Sequence, residues 1–516
     1  MTHLSELARL QAGQAAATAA DGTGLTFAQL DDESRRLASL LEARGLQPGD
    51  TVAILLENIP RYLSAAWGAL RAGLRIVPVN WHLSAAEAVY IAGDSGARAL
   101  ITSGTLAPLA SEIAASSPVL ATRLVIGGPA AGFEDFDAAL AASSPERPAE
   151  EPGGQIMFYS SGTTGRPKGI KRTLPPAPFG GEQMLDALLE GLYGFGRDTV
   201  YLCTGPLYHA APLGWSLGAQ GLGGQVVVMP RFDPEACLAM IEQFRVTHVQ
   251  FVPTMFVRML KLAPEIRARY DLSSLRGVVH AAAPCPVEVK RAIIDWLGPI
   301  VDEYYAASEG NCFFAIGSAE WLAHPGSVGK ALLGTPHILD DDGAELGAGE
   351  VGQIWIEGPR VFEYHNDPAK TAGAFNDKDW STLGDLGHVD ADGYLYLSDR
   401  RTDLIITGGV NVYPREIEDA LAMHPAVADV AVIGLPDPEM GQEIRAIVQP
   451  APGVAGSPEL ERELIEHCTA QLARFKRPRR VDFVAELPRV PSGKILRRLV
   501  RDTYLQRAGE SSAAGG

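Results

Sequence analysis

Short apolar runs alternate with stretches of helical periodicity along the first part of the chain. The runs predict strands, and apolar positions three to four residues apart predict helices between them. Strands that alternate with helices form βαβ units, whose parallel strands are covered by helices. The pattern therefore predicts an α/β fold. Strands are predicted at 51–56, 75–79, 99–102, 124–126, 225–229, 248–252, 276–280 and 300–304, and helices at 60–72, 234–244 and 287–297.

The pattern changes after residue 332. Aspartate-glycine pairs at 342–343 and 392–393 flank short alternating segments, which predicts antiparallel hairpins and a β-rich subdomain. A helix at 414–422 and a strand at 427–433 then indicate a separate α+β unit. A chain of 516 residues is too long for one core. We predict an N-terminal domain at 1–398, a hinge at 399–403 and a small C-terminal domain at 404–516.

Charge and cysteine content narrow the class of protein. The formal net charge of -18 argues against a general nucleic-acid binder, which needs a basic surface. Five cysteines, with no CxxC pair, argue against a disulfide framework or a zinc site and fit a reducing cytoplasm. The N-terminus has no signal-peptide pattern, and no apolar run reaches the ~18 residues that cross a bilayer. We expect a cytoplasmic protein without a transmembrane segment.

One polar segment suggests a site for a polyphosphate. It follows an apolar run at 156–159 and combines four hydroxyls and three glycines with Arg166 and Lys168. Glycine lets backbone amides approach an anion, while hydroxyl and basic side chains add donors and charge. It is not a Walker A loop, because position 167 is proline. A flexible polar turn is the alternative. The phosphate-binding candidates are Ser160, Ser161, Gly162, Thr163, Thr164, Gly165 and Lys168.

This loop and five later segments, in the same order, resemble the adenylate-forming superfamily of acyl- and aryl-CoA synthetases, peptide-synthetase adenylation domains and firefly luciferase. The later segments are 281–286, 303–310, 381–387, 399–414 and 491–497. Taken alone, each could be an ordinary turn or strand end. The sequence departs from the family at three positions: Ala306 replaces a glycine, Leu383 is inserted before Gly384, and Thr402 stands where the hinge usually has Asp or Lys.

The resemblance implies a role for each matching residue. Ala282, Ala283 and Pro284 would pack on adenine, Tyr305 would stack on it beside Tyr304, and Glu303 would contact its amino group. Ser308 would reach the α-phosphate, Glu309 would hold Mg²⁺, and Asp385 and Arg400 would bind the ribose. Gly408 and Gly409 would line the pantetheine channel of coenzyme A. Lys494, Glu309, Thr164 and His209 would act in catalysis, and the C-terminal domain would be mobile.

The reaction implied is ATP-dependent activation of a carboxylic acid, followed by thioester formation with coenzyme A. The segment 206–212 and Gly408-Gly409 look most like acyl-CoA synthetases, and a +8 balance at 471–501 (ten basic residues minus two acidic) could meet ATP and CoA or be a solvated surface. His209, Trp215 and 252–255 suggest an apolar acid pocket. They favour a hydrophobic acid, aromatic or fatty with a medium or long chain, and a place in fatty-acid metabolism.

Several alternatives stay open. The enzyme could load a carrier protein instead of CoA, or the chain could bind acyl nucleotides without catalysis. His209 could be a satisfied buried histidine with no chemical role. The sequence also leaves a homodimer open.

Overall fold

The computed structural model describes residues 3–160, 167–181, 184–400, 403–407, 410–438, 440–489 and 495–513, without the side chains at 399, 400, 470 and 507–513. The helices are α1 (Leu4–Leu10), α2 (Phe27–Ala43), α3 (Arg61–Arg71), α4 (Ala85–Asp94), α5 (Ala107–Ser116), α6 (Phe136–Ala141), α7 (Met184–Tyr193), α8 (Ala210–Gly221), α9 (Pro234–Phe244), α10 (Pro253–Leu260), α11 (Pro264–Arg267), α12 (Val287–Leu297), α13 (Ser318–Ala323), α14 (Pro368–Gly373), α15 (Pro414–Ala422), α16 (Pro458–Gln471) and α17 (Arg497–Ala513).

The strands are numbered in the order in which they follow one another along the chain. They are β1 (Ala15–Ala19), β2 (Gly24–Thr26), β3 (Thr51–Leu55), β4 (Arg75–Pro78), β5 (Ala97–Ser103), β6 (Thr122–Ile126), β7 (Glu134–Asp135), β8 (Gln155–Ile156), β9 (Phe158–Ser160), β10 (Lys168–Arg172), β11 (Val200–Cys203), β12 (Gln225–Val228), β13 (His248–Phe251), β14 (Gly277–His280), β15 (Val301–Ala306), β16 (Phe313–Ile316), β17 (Ser327–Leu333), β18 (Thr335–Leu339), β19 (Gly352–Glu357), β20 (Phe362–Tyr364), β21 (Asp385–Val389), β22 (Leu395–Arg400), β23 (Ile405–Thr407), β24 (Val410–Val412), β25 (Val427–Asp437), β26 (Gly441–Pro450) and β27 (Arg480–Phe483).

Two large sheets form the bulk of the fold. One has six parallel strands in the order β7-β6-β5-β3-β4-β8. The other has thirteen strands in the order β18-β19-β21-β22-β17-β16-β15-β14-β13-β11-β12-β1-β2. Its parallel section runs from β1 to β15, and an antiparallel section begins at β16. The α/β fold with a β-rich part is therefore confirmed.

A three-stranded sheet, β20-β10-β9, carries the polar loop predicted to bind phosphate. Ser160 at the end of β9 pairs with Lys168 at the start of β10. The intervening loop, 161–166, lies outside the described residues. The two ends of the loop are thus fixed side by side in an antiparallel ladder.

The C-terminal part has its own sheet and core. Strands β25, β26 and β27 form the sheet, and buried side chains from β25, β26, α15 and α16 pack on it, including Ile417, Leu421, Val432 and Leu464. A separate core supports the prediction of a small C-terminal unit. Strand β22 of the large sheet extends to Arg400, so the predicted hinge at 399–403 begins within its last two residues. The domain boundaries themselves stay a prediction.

The predicted bounds of helices and strands agree closely with the structure where capping residues or turn residues mark the ends of the element. Helix α9 has the predicted bounds, because Asp233 caps its N-terminus by accepting a hydrogen bond from Ala236 N and Pro234 follows at the first turn. The hairpin at Asp392-Gly393 is confirmed by the antiparallel pairing of β21 and β22. Within the described part of the chain, none of the helices has both the length and the apolar character that a membrane crossing needs.

Candidate active site

The carboxyl ends of four neighbouring parallel strands meet at one edge of the thirteen-stranded sheet. The strands are β11, β13, β14 and β15. In open α/β sheets, ligands bind at the carboxyl edge. Three of the predicted segments lie just beyond these ends: 206–212 follows β11, 281–286 follows β14, and 307–310 follows β15.

Tyr305 and Asp385, predicted to bind adenine and ribose, are in direct contact. The Tyr305 hydroxyl donates a hydrogen bond of 2.7 Å to Asp385 Oδ2. Asp385 begins β21, and the turn before it accommodates the inserted Leu383 because Gly384 adopts a φ of 80°. The insertion therefore leaves the aspartate next to the tyrosine.

Glu309 is held by two side chains that the sequence did not single out. Tyr364 donates a 3.0 Å hydrogen bond to Glu309 Oε1, and Arg172 Nη1 donates one of 3.2 Å to the Glu309 backbone carbonyl. Gly310 makes this contact possible, since it has a φ of 68° and a Cβ there would lie 1.7 Å from Arg172 Nη1. The structure thus fixes the orientation of the carboxylate proposed to hold Mg²⁺.

Lys168 has a basic neighbour that sequence analysis missed, Lys370 on α14. Burial, together with repulsion by Lys168, lowers the pKa of Lys370 to about 8. Lys370 Nζ also lies 4.4 Å from the centre of the Tyr364 ring, and Lys168 Nζ lies 3.7 Å from Asp367 Oδ2. Two adjacent ammonium groups beside the polar loop form a site suited to an anion. The sequence indicated only that a helix begins at Asp367-Pro368, with a lysine in its first turn.

Ala282 has an unusual backbone conformation. Its φ is 72°, in the left-handed region that non-glycine residues seldom adopt. Such conformations cost free energy and cluster at functional sites. Ala282 and Pro284 are exposed and Ala283 is half-buried, so the turn is accessible to a ligand. Its contact with adenine stays a prediction.

Glu303, predicted to contact the adenine amino group, forms a buried ion pair. Its Oε2 lies 2.7 Å from Lys290 Nζ and 3.4 Å from His280 Nε2. Burial raises the pKa of Glu303, an effect that the Lys290 ammonium opposes. Burial, followed by Lys290, lowers the pKa of His280 well below its usual value. The carboxylate therefore has a structural partner, and its contact with adenine stays a prediction.

Tyr304 and Tyr305 point to opposite faces of β15, as neighbours in a strand must. Tyr304 is buried, and its ring stacks between Trp215 on α8 and Phe313 on β16. Gln250 Nε2 donates a 2.6 Å hydrogen bond to the Tyr304 hydroxyl. A nucleotide contact by Tyr304 would therefore come from its backbone, while its side chain faces the apolar side of the sheet.

His209 stands at the N-cap of α8, close to Tyr208, with 4.7 Å between the ring centres. Among the described residues, its Nε2 is buried without a hydrogen-bond partner. Burial lowers the pKa of His209 to about 4, so the imidazole is neutral near pH 7. Its chemical role and the alternative of a structural histidine both stay predictions.

The remaining predicted residues differ in how far the structure describes them. Ser160, Lys168 and Ser308 are half-buried at the site. Arg400 lies in β22 opposite Asp385, although its side chain is outside the description. Ser161, Gly162, Thr163, Thr164, Gly165, Thr402, Gly408, Gly409 and Lys494 lie outside the described residues.

Comparison with known proteins connects this site to a family. Residues 5–364 match the family model described as AMP-binding enzyme, and residues 416–494 match that of the AMP-binding enzyme C-terminal domain. Feruloyl-CoA synthase of Amycolatopsis sp is 35% identical, with 94% of each chain covered. A fatty acid–[acyl-carrier-protein] ligase of Streptomyces coeruleorubidus is 34% identical, over 94% of this chain and 92% of its own.

The fold match is equally extensive. The ATP-bound structure of MatB from Rhodopseudomonas palustris is 30% identical and superposes with a TM-score of 0.81, covering 98% of this chain and 99% of its own. Both domain models, full-length relatives and the fold agree with the ordered segments at the carboxyl edge. The chain therefore belongs to the AMP-binding enzyme family of the adenylate-forming superfamily, whose general reaction is the ATP-dependent formation of an acyl-adenylate.

Proposed function

We propose that this enzyme is an AMP-forming acid:CoA ligase acting on a hydrophobic carboxylic acid. The observation that carries the proposal is the arrangement around Glu309: the Tyr305–Asp385 pair at the carboxyl edge of the large sheet, the oriented Glu309 carboxylate, and the Lys168–Lys370 pair beside Tyr364. These groups are complementary, in turn, to a nucleoside, a hard metal ion and a polyphosphate.

The chemistry requires two displacements. A carboxylate oxygen of the acid attacks the α-phosphorus of ATP, and the bond to the departing pyrophosphate breaks. The thiolate of CoA then attacks the carbonyl carbon of the mixed anhydride, and AMP leaves with the bridging oxygen. Neither step needs a protein nucleophile, so positioning and charge neutralisation account for catalysis.

The residues divide these tasks. Lys168 and Lys370 neutralise the developing charge on pyrophosphate, while Tyr305, Asp385 and Arg400 position the nucleoside. Glu309 would hold Mg²⁺, which prefers oxygen ligands; Oε1 already accepts a hydrogen bond from Tyr364, which fixes the carboxylate orientation. The metal would supply further neutralisation of phosphate charge.

Lys494 and Thr164 complete the proposal through the family resemblance. Lys494 would contact the α-phosphate or the attacking carboxylate during adenylation. The C-terminal unit would then rotate about the hinge to bring Gly408 and Gly409 to the CoA channel. In the present arrangement, Arg415 Nη1 donates a 2.9 Å hydrogen bond to the Leu397 carbonyl, which ties α15 to β22 of the large sheet.

A carrier protein is the second candidate acceptor. It is favoured by the relative whose name specifies an acyl-carrier-protein as acceptor, at nearly the same identity as the CoA-using relative. Free CoA and a phosphopantetheine carrier present the same thiol. Acyl-adenylate formation with no consumption of CoA would support the carrier protein over CoA.

The test incubates the purified enzyme with Mg·ATP, CoA and a panel of acids, and measures AMP, pyrophosphate and acyl-CoA. We expect all three products with at least one hydrophobic acid, and loss of adenylation in Lys494→Ala. Lys378→Ala, an exposed lysine on the large domain, is the matched control and should retain activity. Binding of ATP with no AMP from any acid would instead indicate a non-catalytic nucleotide-binding protein.

A further inference from the structure

We propose, on the basis of the proposed function, that the stacked rings of Trp215 and Tyr304 form the floor of the acid pocket and restrict the enzyme to compact acids. The class is carboxylic acids carrying one ring or a short chain. Long acyl chains, which the apolar composition of the pocket alone would favour, are excluded by this floor.

The position of the acid follows from the two faces of β15. Tyr305 faces Asp385 on the nucleotide side, so the acyl group has the opposite face, where Trp215 of α8 packs on Tyr304. Ala306 lies on that face at the carboxyl edge, is half-buried with a small side chain, and packs against the core that contains Trp215 and Tyr304. The acid would lie over Ala306, with its carboxylate towards Glu309.

The depth available below Ala306 is short. Tyr304 faces the same space as Ala306, because residues two apart in a strand share a face and are about 6.6 Å apart. Trp215 covers the Tyr304 ring, with 5.5 Å between ring centres and 15° between ring planes. An acid entering over Ala306 therefore meets an aromatic surface at about the length of a benzoate.

The floor is rigidly held. Tyr304 also stacks on Phe313, with 5.1 Å between centres and an angle of 8°, and Trp215 is only 2% exposed among Tyr193, Phe195 and Tyr201. The Gln250 side chain fixes the Tyr304 hydroxyl. These contacts prevent rotation of either ring away from the pocket.

The packing of helix α8 also limits how far the pocket could lengthen. It packs closely on α7 through glycines: a Cβ at Gly218 would lie 2.5 Å from Leu189 Cδ1, and one at Gly214 would lie 3.2 Å from Leu185 Cδ2. Close packing on α7 therefore restrains the position of α8.

The experiment compares acids of increasing length in the full-length enzyme. Pyrophosphate release is measured for butyrate, hexanoate, benzoate, phenylacetate, dodecanoate and palmitate with wild type, Tyr304→Ala, Tyr304→Phe and Tyr193→Phe. Tyr304→Phe keeps the ring, and Tyr193→Phe removes only a buried hydroxyl from the same cluster. Thermal unfolding of each variant shows whether it folds, and Tyr304→Leu replaces Tyr304→Ala if the latter does not.

We expect wild type to use benzoate, phenylacetate or hexanoate with kcat/KM at least about tenfold above dodecanoate, the size of discrimination that an apolar pocket provides. Tyr304→Ala should raise kcat/KM for dodecanoate at least about tenfold, while both phenylalanine variants keep the wild-type order. Efficient use of dodecanoate by wild type, or an unchanged order in a folded Tyr304→Ala, would overturn the inference yet leave the ligase function intact. No AMP from any acid in any variant would overturn both.

Discussion

The Tyr305 hydroxyl and the Asp385 carboxylate are joined by a 2.7 Å hydrogen bond that links the parallel and antiparallel sections of the large sheet. The two residues are far apart in sequence, yet the resemblance assigns both to the nucleoside. Their contact means that the ring predicted to stack on adenine and the carboxylate predicted to bind ribose form one rigid unit. Substitution of either residue should therefore change the KM for ATP.

Tyr305→Phe should raise KM for ATP about tenfold and leave kcat within about twofold. The ring stays, but the Asp385 carboxylate loses a hydrogen bond worth about 1–1.5 kcal/mol and becomes free to rotate. Steady-state kinetics in ATP check this. Tyr396→Phe, which removes a 3.2 Å hydrogen bond to Asp390 at the other end of the same hairpin, is the control and should leave KM unchanged.

Lys370→Met should lower kcat/KM for ATP by about tenfold or more. The substitution removes one of the two adjacent lysine ammonium groups that would neutralise the departing pyrophosphate. Lys378→Met on the same part of the domain serves as the control. Equal kcat/KM values for the two variants would show that Lys370 does not contribute to the use of ATP.

The pH dependence tests the same lysine. Since the pKa of Lys370 is lowered to about 8, its charge is lost as pH rises through that value, and kcat/KM for ATP in wild type should fall there. The arginine in Lys370→Arg keeps its charge at high pH, so the decrease in kcat/KM for ATP should move to a higher pH. A wild-type profile that stays level to about pH 9.5 would contradict the assignment.

Lys290→Met should destabilise the fold by about 3–5 kcal/mol, because it leaves the buried Glu303 carboxylate without its cation. The pKa of Glu303 in the folded state is raised, and loss of Lys290 raises it further. Compared with wild type, the variant should therefore lose more stability at pH 8 than at pH 5, because the ionised Glu303 carboxylate is left unpaired. Loss of Lys290 also removes one of the groups that lower the pKa of His280, so proton binding there changes the comparison with wild type in the same direction. Arg415 is present in both proteins and opposes the rise in the pKa of Glu303.

Urea unfolding of Lys290→Met at pH 5 and pH 8 measures the effect. The double variant Lys290→Met with Glu303→Leu should recover most of the lost stability, since no unpaired charge remains. A double variant as unstable as Lys290→Met would show that lost packing, and not the charge, is responsible.

His209 should not titrate in the working range of the enzyme. Burial lowers its pKa to about 4, so the neutral imidazole persists from about pH 5.5 to 8 and can only donate or accept a hydrogen bond. The profile of kcat/KM for the acid should have the same shape in wild type and His209→Gln. An inflection near pH 6.5 that disappears in His209→Gln would contradict a neutral histidine.

The sequence determined the local elements and the order of the chemical segments well. Helices α9 and α12 have the predicted bounds because proline and capping residues mark their starts and the apolar period is clear. It could not show that β1 crosses from the N-terminus to pair with β12, since strand order depends on packing between distant segments.

The same limit applies within the site. Tyr364 and Lys370 lie between the predicted motifs, and the sequence marks only the helix start before Lys370. Pairing of β20 with β10 brings both residues to Glu309 and Lys168. Alternation along β15 separates Tyr304 from Tyr305, yet only the fold reveals that Trp215 covers Tyr304. Contacts between distant segments therefore identify site residues that the motifs alone do not.

The most direct test of acyl-adenylate chemistry follows one oxygen atom. An acid of the panel that releases pyrophosphate is labelled with ¹⁸O in its carboxylate and incubated with the enzyme, Mg·ATP and CoA, and the nucleotide product is analysed by mass spectrometry. Attack on the α-phosphorus followed by release from the carbonyl carbon places one label on each AMP, which is the result that we predict. Formation of ADP, or of AMP without the label, would contradict the account.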